Sequence, residues 1–159
     1  MVKYFTILFF SLALLSCRQN STSQTELDRN GIVNSVKLTL DNYYSDIKKN
    51  GLTAEFKYLD NSPDFFWVPP GYTNSISYDS VVTVLKQNAP KYKLIENSFD
   101  TLSIIPLTEE LASYTGRLSS KMTDTSGNMM TFSLVETGIL VKRKNGWKLL
   151  SGQTSIIGQ

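Results

Sequence analysis

Few side chains in this 159-residue sequence can do covalent or proton chemistry near neutral pH. Histidine is absent, and cysteine occurs once, at Cys17. With no histidine and one cysteine, the usual zinc ligand sets cannot be assembled, so neither a metal nor another cofactor is expected. Glycine-rich phosphate loops and Gly-x-Ser-x-Gly elbows are missing too. Carboxylate chemistry remains, and Glu136, the only acidic residue after Asp124, is its leading candidate. A carboxylate on an apolar face is costly unless it is paired or hydrogen-bonded. Burial would raise its pKa toward the range useful to an acid or base.

Cys17 sits where an apolar run turns polar. Lys3 precedes Tyr4 to Leu15, a stretch without charge. That run is too short for a spanning helix, which needs about 20 apolar residues. It suits the apolar region of a secretory signal. Leu14-Leu15-Ser16-Cys17 resembles the lipobox of bacterial lipoproteins, in which the cysteine becomes the lipidated first residue of the mature chain. The resemblance implies a signal peptide over 1–16, a lipid anchor at Cys17 and residence in the bacterial cell envelope, facing the periplasm or exterior. Two plainer readings are cleavage after Ser11-Leu12-Ala13 and a free thiol at Cys17. Lipidation accounts for an otherwise unexplained single cysteine in an exported chain. Residues 17–30 hold one aliphatic side chain, Leu27, and read as a flexible tether. Residues 31–159 remain for one domain, long enough to bury a core. Without Lys3, 15 of the 16 basic residues remain against 14 acidic ones and nearly cancel them, which argues against a nucleic-acid partner. Lys142-Arg143-Lys144 reads as a solvated hairpin end.

The elements that would position Glu136 follow from periodicity. Ile32, Val36, Leu40, Tyr43 and Ile47 recur every three to four residues and predict an amphipathic helix over 32–49, stopped by Asn50-Gly51. Thr53 can cap a second helix over 54–59, with Glu55 in its first turn. Phe65 to Val68 is a short β run. Ser77 can cap a third helix to about Asn88, and Pro90 ends it. The period then becomes two. Strands are expected over 92–105, 111–122, 129–144 and 147–157, with Asn145-Gly146 as a tight hairpin turn. Strands this long in so small a domain must bend, and Gly116, Gly138 and Gly152 lie inside them. The expected fold is α+β: a cone-shaped, curved antiparallel sheet on three N-terminal helices, enclosing a hollow.

Hairpin loops fix a trial register. A two-residue Asn145-Gly146 loop sets Lys144 opposite Trp147, Gly138 opposite Gln153 and Glu136 opposite Ser155. A five-residue loop before Met129 sets Tyr114 opposite Gly138 and Gly116 opposite Glu136. Directly paired residues share a face. The interior face then carries Glu136, Tyr114, Gln153, Ser151 and Ser155 as a polar patch, with the glycines leaving space beside it and no second carboxylate. Trp67, Tyr58, Phe66 and Tyr43 are candidate walls, although such aromatics also serve as plain core. A satisfied core carboxylate is the competing reading of Glu136. A one-residue slip would reverse the assignment.

The order of elements resembles the SnoaL-like branch of the nuclear-transport-factor-like superfamily, a cystatin-like cone. The likeness is carried by Ala54-Glu55-Phe56 with Leu59, by Asp64-Phe65-Phe66-Trp67-Val68, and by Asn145-Gly146-Trp147-Lys148-Leu149-Leu150 leading to Thr154-Ser155. It implies frequent dimers packed through the sheet and a pocket used differently by different members: some are isomerases, dehydratases, cyclases or hydrolases, and many only bind or assemble. Three functions are therefore expected in turn. The first is a tethered domain binding a small apolar or amphipathic ligand, or an envelope partner, without catalysis. The second is an isomerase or dehydratase with Glu136 as acid or base and Tyr114 as hydrogen-bond donor. The third is a homodimeric assembly module joined through the 131–141 face. Gln153 stands where related sequences often place histidine, and glutamine cannot exchange a proton near neutral pH.

Overall fold

A computed structural model of the chain describes residues 27–157. The segments read above as signal peptide and as tether up to residue 26, Cys17 included, lie outside the described residues. Helix α1 spans Arg29–Asn50, so the domain begins inside the stretch read as tether. Asp28 caps it, its carboxylate accepting the Gly31 N–H at 2.9 Å, and Leu27 packs on the core. Ile32, Val36, Leu40, Tyr43, Tyr44 and Ile47 form the buried stripe. Gly51, at φ +79°, ends the helix and donates its N–H to the Ile47 carbonyl at 2.8 Å.

The second expected helix is a 3₁₀ helix, Leu52–Lys57, shifted two residues earlier. It closes with the Tyr58 N–H donating to the Glu55 carbonyl, an i→i+3 bond. Strand β1 (Phe66–Val68) follows, then α2 (Tyr78–Asn88), capped by Ser77 as its sequence implies. A 3₁₀ turn, Ala89–Lys91, leads into β2 (Tyr92–Pro106), β3 (Leu111–Asp124), β4 (Met129–Arg143) and β5 (Gly146–Ile156).

The sheet runs β1-β5-β4-β3-β2. It is mixed rather than wholly antiparallel, because β1 lies parallel against β5, Trp67 beside Gly152. Register shifts in β2 after Tyr92 and after Phe99 help to bend it. Helix α1 fills the hollow side: Trp147 donates its indole N–H to Ser35 Oγ at 3.0 Å. Burial alternates along β3, where Ala112, Tyr114, Gly116, Leu118 and Ser120 face inward.

The β3–β4 register is the expected one, with Tyr114 opposite Gly138 and Gly116 opposite Glu136. The β4–β5 hairpin differs twice. Arg143, not Lys144, begins the closure: it pairs with Gly146, and Lys142 pairs with Trp147. A type I′ turn would need positive φ at two loop residues; among the described residues only glycines have it, and here that is Gly146 at φ +102°. This shift preserves the faces, so Trp147 and Leu149 are buried as expected. The second difference does not. Leu140 pairs with Leu149 but Ile139 pairs with Ser151, leaving Leu150 as a bulge. One extra residue reverses the parity of everything beyond it. Glu136 therefore faces Thr154, and Thr137 faces Gln153.

Candidate functional site

Glu136 is buried, 6% exposed, at the centre of the inner face. Side chains from three elements bond to it, and a fourth element joins through Thr154. Its Oε1 accepts the hydroxyls of Tyr44 on α1 at 2.8 Å and Tyr114 on β3 at 2.7 Å. Its Oε2 accepts the hydroxyl of Thr154 on β5 at 3.0 Å. Thr154 Oγ1 in turn accepts the indole N–H of Trp67 on β1 at 3.2 Å. Burial holds the Glu136 carboxyl above the ordinary carboxylate range, while the three hydroxyl bonds pull it down. The same burial, with Glu136 close by, pushes the Tyr44 and Tyr114 phenols well above their usual value.

The glycines beside this cluster do not leave empty room. A Cβ on Gly152 would lie 2.6 Å from Trp67 Cζ3. One on Gly138 would lie 2.8 Å from Tyr114 Cε1, and one on Gly116 2.5 Å from the Phe99 ring. Aromatic rings lie over all three glycines, so the missing side chains admit protein rather than ligand.

The open space is farther toward α2 and the 3₁₀ helix. A chamber of about 380 Å³ is lined by apolar groups including Phe65, Val81, Leu85, Ile95, Leu118 and Leu134, with Trp67 and Tyr72 among its aromatic walls. Glu136 and Thr154 reach its floor. Glu55, on the 3₁₀ helix, supplies a second carboxylate, which corrects the expectation of a single one. Glu55 is half-buried and accepts one hydrogen bond, from Tyr43 at 2.8 Å. Burial raises its pKa to about 7; the Tyr43 bond opposes this and the charge of Glu136 adds to it. Asn97 on β2 also lines the chamber, and its Oδ1 is buried with no partner. Among the described residues, no lysine or arginine lines the space, and no group of three or more His, Cys, Asp or Glu side chains is placed to hold a metal.

The expected site residues thus separate. Glu136, Tyr114 and Trp67 come together as one hydrogen-bonded and packed cluster. Gln153 and Ser155 are exposed on the outer face, turned there by the Leu150 bulge. Ser151 is buried, but it belongs to the same outer face, paired with Ile139 and beside the half-exposed Phe66 of β1. Tyr58 stays outside the chamber; its hydroxyl bonds to Asp46 on α1 and its ring meets Tyr43 edge-on at 5.4 Å. Sequence reading missed Thr154, Glu55 and Asn97. Thr154 was hidden by the bulge. Glu55, between Ala54 and Phe56, reads as an ordinary acid in a helix's first turn.

Residues 36–158 match the family described as SnoaL-like domain. The chain belongs to the SnoaL-like domain family. Solved structures place this SnoaL-like chain in the nuclear transport factor 2-like (NTF2-like) fold. A candidate scytalone dehydratase from Novosphingobium aromaticivorans superposes with a TM-score of 0.71 at 10% identity, covering 81% of this chain and 86% of that one. A candidate dehydratase of the NTF2-like family from Streptomyces avermitilis gives 0.65 at 16% identity over 82% and 99%. A candidate calcium/calmodulin dependent protein kinase II association domain from Xanthomonas campestris gives 0.66 at 14% over 78% and 86%. No functionally curated protein matches the chain. At these identities the likeness is one of fold.

Proposed function

We propose that this protein is a lipid-anchored component of the bacterial envelope whose SnoaL-like chamber binds a small apolar or amphipathic ligand without transforming it. The observation that carries the reading is the chamber itself: about 380 Å³, within the range of small-molecule sites, which are mostly apolar with a few placed polar groups. Glu136 does not suit proton transfer, because both its oxygens are engaged by protein hydroxyls. The chain has no histidine to serve instead. Among the described residues no helix is long and apolar enough to cross a membrane; the attachment proposed is through Cys17, on the lipobox-like Leu14-Leu15-Ser16-Cys17.

An isomerase or dehydratase is the second reading, and Glu55 rather than Glu136 favours it. Glu55 has a single hydrogen-bond partner and a pKa of about 7, suited to an acid or base. It lacks any second proton-transfer group, because Glu136 is tied down.

A neutral solvatochromic dye such as prodan tests the binding reading. With the full-length protein its emission is expected to rise and shift to the blue. Ser120, a small residue lining the chamber, is replaced in the control Ser120→Phe, which should abolish the response. No response from the unaltered protein, or an equal response from the variant, would refute a binding chamber.

A further inference from the structure

We infer that the chamber's ligand is a small organic cation, an amine on an apolar body, with its ammonium group held by Glu55. This rests on the ligand-binding reading above and names the ligand's chemistry.

One acceptor on the chamber wall has capacity to spare. Glu55 takes one hydrogen bond, from Tyr43, although a carboxylate can accept several. The Tyr44, Tyr114 and Thr154 hydroxyls are committed to Glu136, and the Tyr43 hydroxyl to Glu55.

Charge selects among donors. The lining contains two carboxyl groups and, among the described residues, no lysine or arginine. An anion would enter against both acids with no cation to meet it. A neutral alcohol offers one donor; an ammonium offers several and carries the complementary charge. Tyr43, Tyr44, Trp67, Tyr72 and Tyr92 also line the space, and the faces of tyrosine and tryptophan attract cations. An acid with aromatic rings around it compensates a protonated amine for lost water, while the apolar wall takes the hydrocarbon.

Three compounds with one skeleton test this: phenylbutylamine, phenylbutanol and phenylbutyrate, titrated calorimetrically into the full-length protein at about pH 8, where Glu55 is ionised. The amine is expected to bind at least about tenfold more tightly than the alcohol, because only the amine brings a charge opposite to that of Glu55. The carboxylate is expected to bind most weakly. Glu55→Gln should erase the preference for the amine over the alcohol. Equal affinities for amine and alcohol, or tightest binding of phenylbutyrate, overturn the inference. If all three fail while prodan still binds, the inference falls and the chamber stands. If prodan fails as well, the parent reading falls with it. The comparison of the three compounds requires no variant, so a misfolded substitution does not blunt it.

Discussion

Replacing Glu136 separates a carboxylate that holds the fold from one that does chemistry. In Glu136→Leu, the Tyr44, Tyr114 and Thr154 hydroxyls lose the acceptors they meet at 2.8, 2.7 and 3.0 Å. Each buried donor left unmatched costs roughly 1–3 kcal/mol. Against this stands the relief of removing a carboxylate that burial disfavours. The net expectation is a loss of about 3–5 kcal/mol, a large share of the roughly 5–15 kcal/mol by which such domains are stable. Glu136→Gln keeps the acceptor for both tyrosines and turns an amide N–H₂ toward Thr154 Oγ1, which can accept. The relief of removing a carboxylate that burial disfavours offsets the Thr154 hydroxyl proton this leaves unmatched, so the variant should lie within about 1 kcal/mol of the parent. Urea unfolding followed by circular dichroism reads both. With a slope of about 1–3 kcal/mol per molar, the leucine variant's midpoint should fall by roughly 2 M while the glutamine variant's barely moves. A leucine variant as stable as the parent, or a glutamine variant as damaged as the leucine one, would refute the claim that these three hydroxyls need Glu136 as acceptor.

Glu55 makes stability depend on pH. Its folded pKa of about 7 stands above the ordinary 4.5, so the folded state holds the proton more tightly than the unfolded one. That contribution is complete below about 4.5 and is lost as pH rises through about 7. At about 1.4 kcal/mol per pH unit the ceiling is about 3 kcal/mol. Water at a half-buried side chain lowers the expected loss to about 1–2 kcal/mol. Glu136 titrates in the same direction, so the measurement is the difference between parent and Glu55→Gln across that range; parallel curves would contradict it. Cys17→Ala should move the protein from the membrane fraction to the soluble one, and an unchanged partition would reject lipidation.

The local signals survived folding. The α1 stripe, the Gly51 stop and the Ser77 cap are written in neighbouring residues, and each forms where periodicity puts it. The β3–β4 register follows from a loop whose Asp124 and Asn128 bond each other. What could not be read is long-range or a matter of backbone. The parallel pairing of Trp67 with Gly152 joins segments distant in sequence, and no local pattern announces it. The bulge left a faint trace: Leu149 and Leu150 stand side by side where strict alternation would separate them. Glycines in a strand signal a close approach, but not whether a ligand or a ring makes it; Trp67, Tyr114 and Phe99 do here. Glu55 acquires its environment only when Tyr43 and Glu136 close around it.

Leu150 makes the far half of the last strand a matter of counting. Two alternative floors are stored on that ribbon, Gly152 with Thr154 on one side and Gln153 with Ser155 on the other. Deleting one residue there would trade them: glutamine would swing beneath the chamber, Trp67 would lose the slot that seats its ring, and Glu136 would lose its third donor. In this architecture a single-codon insertion or deletion can rewrite the polar alphabet of the chamber without altering one side chain in its walls.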